Sequence, residues 1–227
     1  MSSLPPNFNW IAPVYDGLKA IVFGRSLERA QVLLLDRIPA GASVLIVGGG
    51  TGCLLESLLR RGHTGRVTYL ETSGQMIART SRRVLDRQLL GTIEFQRGDE
   101  TTLSPGARFD VVMTPFVLDL FTAQTLRQRL LPRLTAALNP GGQWFITDFV
   151  LTTNGWQNAL IQAMIYFFRL TAGIETRRLV DWQALFAETN LVLQERQAQV
   201  GGMVSSERWT RPPSPTQPLH SSSFSDQ

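Results

Sequence analysis

The hydrophobic pattern of the chain alternates between short apolar runs and longer stretches with apolar residues at helical spacing. Five apolar, β-branched runs predict strands at 43–47, 66–70, 92–96, 109–113 and 143–149. The segments between them predict helices at 51–61, 73–88 and 122–138, the last broken or kinked at Pro132, and an amphipathic helix at 26–38 precedes the first strand. Strands that alternate with helices are typical of an α/β domain with a parallel sheet covered on both faces.

After the fifth predicted strand, helices and strands no longer alternate. Helices are predicted at 156–170 and 181–189, followed by two strand-like runs at 191–199 and 203–209. Gly201 and Gly202 separate these runs, which predicts an antiparallel hairpin. The expected fold class is therefore α/β and Rossmann-like, with a seven-stranded, mostly parallel sheet that ends in an antiparallel hairpin.

One domain accounts for most of the 227 residues, 43% of which are hydrophobic. We expect this domain to span 1–209, with an N-terminal cap region at 1–40 and a helical insertion at 155–178. The segment 210–227 is rich in Pro and Ser and poor in large apolar residues, so it cannot bury enough surface to offset its ordering entropy. It is predicted to be a disordered tail.

Charge and cysteine content exclude several classes of protein. The net charge is +4, but the arginines are scattered and form no basic stripe, so no nucleic-acid partner is expected. The single Cys53 allows neither a disulfide framework nor a cysteine-based zinc cluster, and no metal is expected. The most apolar helical stretch, 156–170, is too short and too polar to span a bilayer. We expect a cytoplasmic protein; the pattern does not predict an oligomeric state.

A glycine-rich turn joins the first strand to the helix that follows it. Gly48, Gly50 and Gly52 have the spacing Gly-x-Gly-x-Gly, whereas a dinucleotide fingerprint would require glycine at position 53, which is Cys53. The spacing favours a cofactor without a pyrophosphate and leaves a nicotinamide-dependent oxidoreductase as the alternative. Glu71 ends the second strand, where a carboxylate can accept hydrogen bonds from ribose hydroxyls. The competing interpretation of Glu71 is a solvated surface acid.

Five segments taken together resemble the successive motifs of class I S-adenosylmethionine-dependent methyltransferases. They are VLIVGGGTG, VTYLETSGQMI, FQRGDE, FDVVMTPFVLDLF and NPGGQWFITDF, in the order that the family has. The resemblance covers about 15–209 and is greatest to the small-molecule methyltransferases that include the ubiquinone and menaquinone biosynthesis enzymes. It implies S-adenosylmethionine as the cofactor and methyl transfer to a small acceptor, apolar or aromatic.

The resemblance also implies roles for particular residues. The glycines would line the methionine and ribose end, Met76 would pack near the adenine, Asp99 would accept from its amino group, and Thr114 would lie beside the methionine portion. The implied cofactor-binding residues are Tyr15, Gly48, Gly49, Gly50, Thr51, Gly52, Glu71, Thr72, Met76, Asp99 and Thr114. The family insertion covers the substrate, which together with the N-terminal aromatics suggests Phe8, Trp10, Met164 and Phe168 as acceptor-binding residues. A core helix is the competing interpretation of 156–170.

No catalytic residue is assigned. A general base is useful only where the acceptor must lose a proton. Asp119, Tyr15 and Asp148 are the candidates, each with a structural role as the alternative. The chain also has Ile46 where the family usually has an acid, and Asp119 where it often has a histidine. A non-catalytic S-adenosylmethionine-binding protein therefore stays open as a second alternative.

Overall fold

The computed structural model describes residues 25–213 of the chain. The predicted roles of Phe8, Trp10 and Tyr15 lie outside the described residues, as does the tail from 214 to 227.

Within the described residues, helices and strands alternate as the hydrophobic pattern predicts. The helices are α1 (Ser26–Val32), α2 (Cys53–Arg60), α3 (Gly74–Asp86), α4 (Leu131–Ala137), α5 (Gly155–Ala172) and α6 (Trp182–Ala187). The strands are β1 (Val44–Val47), β2 (Arg66–Glu71), β3 (Thr92–Arg97), β4 (Phe109–Pro115), β5 (Leu138–Phe149), β6 (Val192–Gln199) and β7 (Val204–Thr210). Most predicted bounds agree with these to within two residues.

The seven strands form one sheet in the order β3-β2-β1-β4-β5-β7-β6. The pairs from β3 to β5 are parallel, and β7 runs antiparallel between β5 and β6. This arrangement confirms the predicted fold class. The chain builds outward from β1 to β3 and then returns to add β4 on the other side of β1. Open α/β sheets bind ligands at such a reversal, beyond the carboxyl ends of the strands.

Three local predictions need correction. The strand predicted at 143–149 begins earlier, at Leu138: residues 139–142 lie within β5, as an irregularity between the pairs Leu138–Phe109 and Gln143–Val111. The helix predicted at 122–138 begins with a short turn, Ala123–Thr125, and a π-helical turn, Leu126–Leu130, so its irregularity precedes Pro132. The helix predicted at 26–38 ends at Val32 and is followed by a 3₁₀ turn, Leu35–Arg37.

Apolar side chains cover both faces of the sheet. On one face, the buried residues of β1 and β2 pack against α2, and on the other they pack against α4 and α6. A further cluster joins α1 and α5 to the end of β5 and includes Leu27, Phe149, Ile161 and Phe168. The helix α5 therefore rests on the sheet through one face only. Among the described residues, no helix is both long and apolar enough to cross a membrane.

Candidate cofactor site

A cleft opens at the carboxyl ends of β1, β2 and β4, where the strand order reverses. It encloses about 720 Å³ of space, counted out to its open mouth and including open solvent. Six of the predicted cofactor residues line it: Gly48, Gly50, Glu71, Thr72, Met76 and Asp99. Phe116, Val117, Leu120 and Phe121, from the segment after β4, line it as well. The lining runs from Val47 to Leu130, so the structure brings together residues that are up to 83 positions apart in sequence.

The glycines of the turn have different surroundings. A Cβ atom added at Gly49 would lie 2.5 Å from the Tyr69 ring, and one added at Gly52 would lie 2.5 Å from the Thr80 methyl group. Gly50 has a φ of 61°, in the left-handed region, and an added Cβ would meet nothing within 4 Å. Gly50 therefore borders the open cleft, whereas Gly49 and Gly52 are needed for packing beneath the turn.

The Glu71 carboxylate lies at the cleft but is only 6% exposed. Its Oε2 accepts from the Gly50 N–H at 3.2 Å, and its Oε1 accepts from the Ser73 N–H at 3.0 Å and from the Thr72 hydroxyl at 3.3 Å. Burial raises the pKa of Glu71, and these hydrogen bonds act against that rise. The interpretation of Glu71 as a solvated surface acid is therefore wrong.

Met76 and Asp99 form the far side of the cleft, under β2 and β3. Ser73 caps α3 and accepts from the Met76 N–H at 3.2 Å, which fixes the first turn of the helix and leaves the Met76 side chain 3% exposed. Asp99 Oδ1 accepts from the Thr101 N–H at 2.9 Å. None of the described residues donates to Asp99 Oδ2, so that oxygen can accept from a ligand.

Several predicted cofactor residues do not line the cleft. Thr114 is fully buried, and its hydroxyl accepts from Trp144 Nε1 at 3.0 Å, because its position on β4 directs it into the sheet packing. Phe116 and Val117 border the cleft in its place. Thr51 also lies outside the lining, with its hydroxyl 3.9 Å from Cys53 Sγ. Sequence reasoning missed Phe116 and Val117 because apolar residues after a strand carry no signal of ligand contact.

The candidate base Asp148 is buried behind the cleft rather than in it. Its Oδ2 accepts from the N–H groups of Val117 at 3.0 Å and Leu118 at 2.8 Å, and its Oδ1 accepts from its neighbour Phe149 at 2.8 Å. Burial, followed by the negative charge of Asp119, raises the pKa of Asp148. Neither carboxylate lines the cleft. Asp148 therefore holds the segment that carries Val117 in place through these hydrogen bonds.

The predicted acceptor-binding residues Met164 and Phe168 lie in the core. They are 7% and 6% exposed and pack with Phe149 and Phe116 in the cluster under α5, outside the cleft lining. The placement of these two side chains at the acceptor is thus wrong for the described residues. Phe116 belongs to both the cluster and the cleft, so α5 supports the cleft wall from behind.

The opposite face of α5 is exposed and also carries apolar residues, so apolar residues lie on nearly all sides of this helix. Trp156, Tyr166 and Leu170 lie on this outer face and are 62%, 54% and 86% exposed. The sequence pattern indicated a surplus of apolar residues but could not show which face meets the sheet.

Comparisons with known proteins agree with this geometry. A family model described as a methyltransferase domain matches residues 44–142. The ubiquinone/menaquinone biosynthesis C-methyltransferase UbiE of Pseudomonas putida is 31% identical over 170 residues, which are 73% of this chain and 65% of that protein. The protein of the same name from Azotobacter vinelandii is 27% identical and is covered to 66%. The chain thus spans slightly less than two-thirds of the length of these relatives.

Two solved structures share the fold. The 1,6-didemethyltoxoflavin-N1-methyltransferase of Burkholderia thailandensis, solved with 1,6-didemethyltoxoflavin and S-adenosylhomocysteine, has a TM-score of 0.64 at 17% identity and is matched over 93% of both chains. An O-methyltransferase family 2 protein of Planctomyces limnophilus, solved with apigenin, has a TM-score of 0.67 at 18% identity, over 88% of this chain and 61% of that one.

Residues 44–142 match a methyltransferase domain, and the chain has the fold of the class I S-adenosylmethionine-dependent methyltransferases. It is similar to the small-molecule enzymes of this class that are named for ubiquinone and menaquinone biosynthesis. Its cofactor is S-adenosylmethionine, and a nicotinamide cofactor is disfavoured.

Proposed function

We propose that the chain transfers a methyl group from S-adenosylmethionine to a small, flat and largely apolar acceptor of the quinone-precursor type. The observation that carries this proposal is the division of the cleft into two chemically different sides. Hydrogen-bonding groups of Glu71 and Asp99 lie on the β2–β3 side, and the side chains of Phe116, Val117 and Leu120 lie on the β4 side. The UbiE relatives, which are named for ubiquinone and menaquinone biosynthesis, support a quinone-type ring.

The residues of the β2–β3 side suit the cofactor. The unfilled space at Gly50 admits a ligand against the backbone, and the Glu71 carboxylate is placed to accept from ribose hydroxyls. Met76 offers an apolar surface for a ring, and Asp99 Oδ2 can accept from an exocyclic amine. These residues would hold S-adenosylmethionine, whose sulfonium supplies an electrophilic methyl carbon.

The chain then has to align an acceptor with that methyl group and exclude water. When bound, S-adenosylmethionine would supply its methyl carbon to an electron pair of the acceptor atom and leave as S-adenosylhomocysteine, and the proton displaced from a phenol or ring carbon would pass to solvent. Such positioning alone can supply roughly 7–11 kcal/mol. The apolar side chains of Phe116 and Val117 form the wall that would cover the acceptor. We assign no base, since Asp119 and Asp148 lie outside the cleft lining.

The test is acceptor-dependent turnover with methyl-labelled S-adenosylmethionine and a reduced naphthoquinone or substituted phenol. We expect S-adenosylhomocysteine to form and the label to appear in the acceptor, as measured by mass spectrometry. A peptide and an RNA serve as acceptors that should receive no label. Binding of S-adenosylhomocysteine without turnover on any small acceptor would favour the non-catalytic alternative. Tight NADH binding without S-adenosylhomocysteine binding would overturn the cofactor assignment.

A further inference from the structure

Two buried hydroxyl groups lie directly beneath the glycine turn. The Tyr69 hydroxyl, from β2, donates to the Gly50 carbonyl oxygen at 2.8 Å. The Thr80 hydroxyl, from α3, lies 3.0 Å from the same oxygen and 3.3 Å from the Tyr69 hydroxyl. Both side chains are completely buried. One backbone oxygen therefore has two side-chain donors that come from different elements.

These contacts hold the Gly50 residue on both sides. Its carbonyl is bound by Tyr69 and Thr80, and its N–H donates to Glu71 Oε2 at 3.2 Å. The same two side chains also form the surface on which Gly49 and Gly52 pack. Because glycine loses more backbone freedom than other residues when it becomes ordered, a turn of this composition needs such contacts to have one conformation before a ligand arrives.

The register of the sheet explains why the hydroxyl group that holds the Gly50 carbonyl comes from β2. Ile46 of β1 precedes the turn and is fully buried, but it has no side-chain polar atom to offer. Its partner across the parallel pair is Tyr69, so the phenol stands beside Ile46 at the base of the turn. Burial raises the pKa of Tyr69, which keeps the phenol a neutral donor.

We propose that Tyr69 and Thr80 are positioning residues of the cofactor site, which hold the Gly50 carbonyl and thereby keep the Gly50 N–H on Glu71 and the glycine turn open to the cofactor. They act through Gly50, and neither side chain lines the cleft. The inference rests on cofactor binding at this turn, which the proposed function requires. It does not depend on the identity of the acceptor.

The experiment compares Tyr69→Phe, Thr80→Val and the double variant in the full chain. Tyr69→Phe keeps the ring that packs under Gly49 and against Phe95, at 5.5 Å between centroids. Each single variant should bind S-adenosylhomocysteine about three- to tenfold more weakly, the range for one neutral hydrogen bond. The double variant should lose more than the product of the two single losses, because each single variant keeps one hydroxyl donor at the carbonyl and the double variant keeps neither. Tyr166→Phe, on the exposed face of α5, is the matched control.

A second readout needs no ligand. Amide hydrogen exchange of the Gly50 N–H should become faster in both single variants and fastest in the double variant, at temperatures where all variants are folded. If exchange and S-adenosylhomocysteine affinity both stay within twofold of the wild type while the melting temperature falls, the two residues are only core residues and the proposal is overturned. If the wild type fails to bind S-adenosylhomocysteine, the cofactor site at this turn is wrong, and the exchange of the Gly50 amide still decides whether Tyr69 and Thr80 order the turn.

Discussion

Replacement of Glu71 by alanine tests how much of cofactor affinity depends on one carboxylate. The side chain accepts from Gly50, Thr72 and Ser73 on the protein side, and Glu71 also lines the cleft. Glu71→Ala therefore removes the carboxylate that would accept a hydrogen bond from the ligand. It also leaves the backbone N–H groups of Gly50 and Ser73 without their acceptor. Affinity and stability should both fall, for separable reasons.

The two losses can be estimated from these contacts. A hydrogen bond to a charged group contributes about 1.5–3 kcal/mol, so the dissociation constant of S-adenosylhomocysteine should rise about 10- to 150-fold. Leaving a buried donor unsatisfied costs about 1–3 kcal/mol. Gly50 and Glu71 both line the open cleft, so we expect water to replace part of the lost contact and the loss of unfolding free energy to lie near the lower end of that range.

Calorimetry with S-adenosylhomocysteine and denaturant unfolding measure the two effects independently. Glu94→Ala is the matched control, because the Glu94 side chain is 58% exposed on the adjacent β3 and lies in a long, 3.9 Å ion pair with Arg66. The control should change neither quantity. A dissociation constant for folded Glu71→Ala within twofold of the wild-type value would refute the assignment of Glu71 to the ribose.

Three further outcomes are expected. Gly50→Val and Gly62→Val should each lower the unfolding free energy by about 1–2 kcal/mol, the cost of a left-handed residue, since both glycines have a positive φ and free space for a Cβ. Only Gly50→Val should abolish S-adenosylhomocysteine binding, and equal binding by the two variants would contradict this. Because burial raises the pKa of Glu71, S-adenosylhomocysteine affinity should fall as acid protonates the carboxylate, and this fall should begin above the pH at which an ordinary glutamate is protonated. Glu71→Gln should flatten the pH profile measured by calorimetry, and a wild-type affinity that rises with acid would contradict the prediction. Phe168→Ala should cost about 3–5 kcal/mol of unfolding free energy, whereas Leu170→Ala on the exposed face of α5 should cost almost nothing, and a reversed order in denaturant unfolding would mean that α5 is turned the other way.

The fold and the location of the cleft could be predicted because local signals determine them. Apolar residues recur every two positions in a strand and about every 3.6 positions in a helix, which marks each element. The glycine turn, together with Glu71 at the end of the next strand, indicates that the ligand lies at the carboxyl ends of the strands. These signals need only short stretches of sequence. They therefore identified Gly48, Gly50 and Glu71 without knowledge of how distant segments pack.

The residues that support the cleft could not be predicted in the same way. Tyr69 has the pattern of an ordinary buried strand residue, and its contact with Gly50 depends on the register of β2 against β1. Asp148 was a candidate base because it ends a strand, but its partners lie about 30 positions earlier and become visible only in the folded chain. Thr114 was misplaced because the predicted end of β4 was two residues short.

The same kind of device supports both sides of the cleft. On the glycine side, hydroxyl groups from β2 and α3 hold a backbone carbonyl; on the β4 side, the Asp148 carboxylate holds the N–H groups of Val117 and Leu118. Both anchors lie behind the ligand surface, and both attach to strands of one sheet. Since the sheet fixes the separation of β2, β1, β4 and β5, the distance between the cofactor side and the apolar side is set before any ligand binds. A reaction that depends on alignment more than on a catalytic base needs such a pre-set distance.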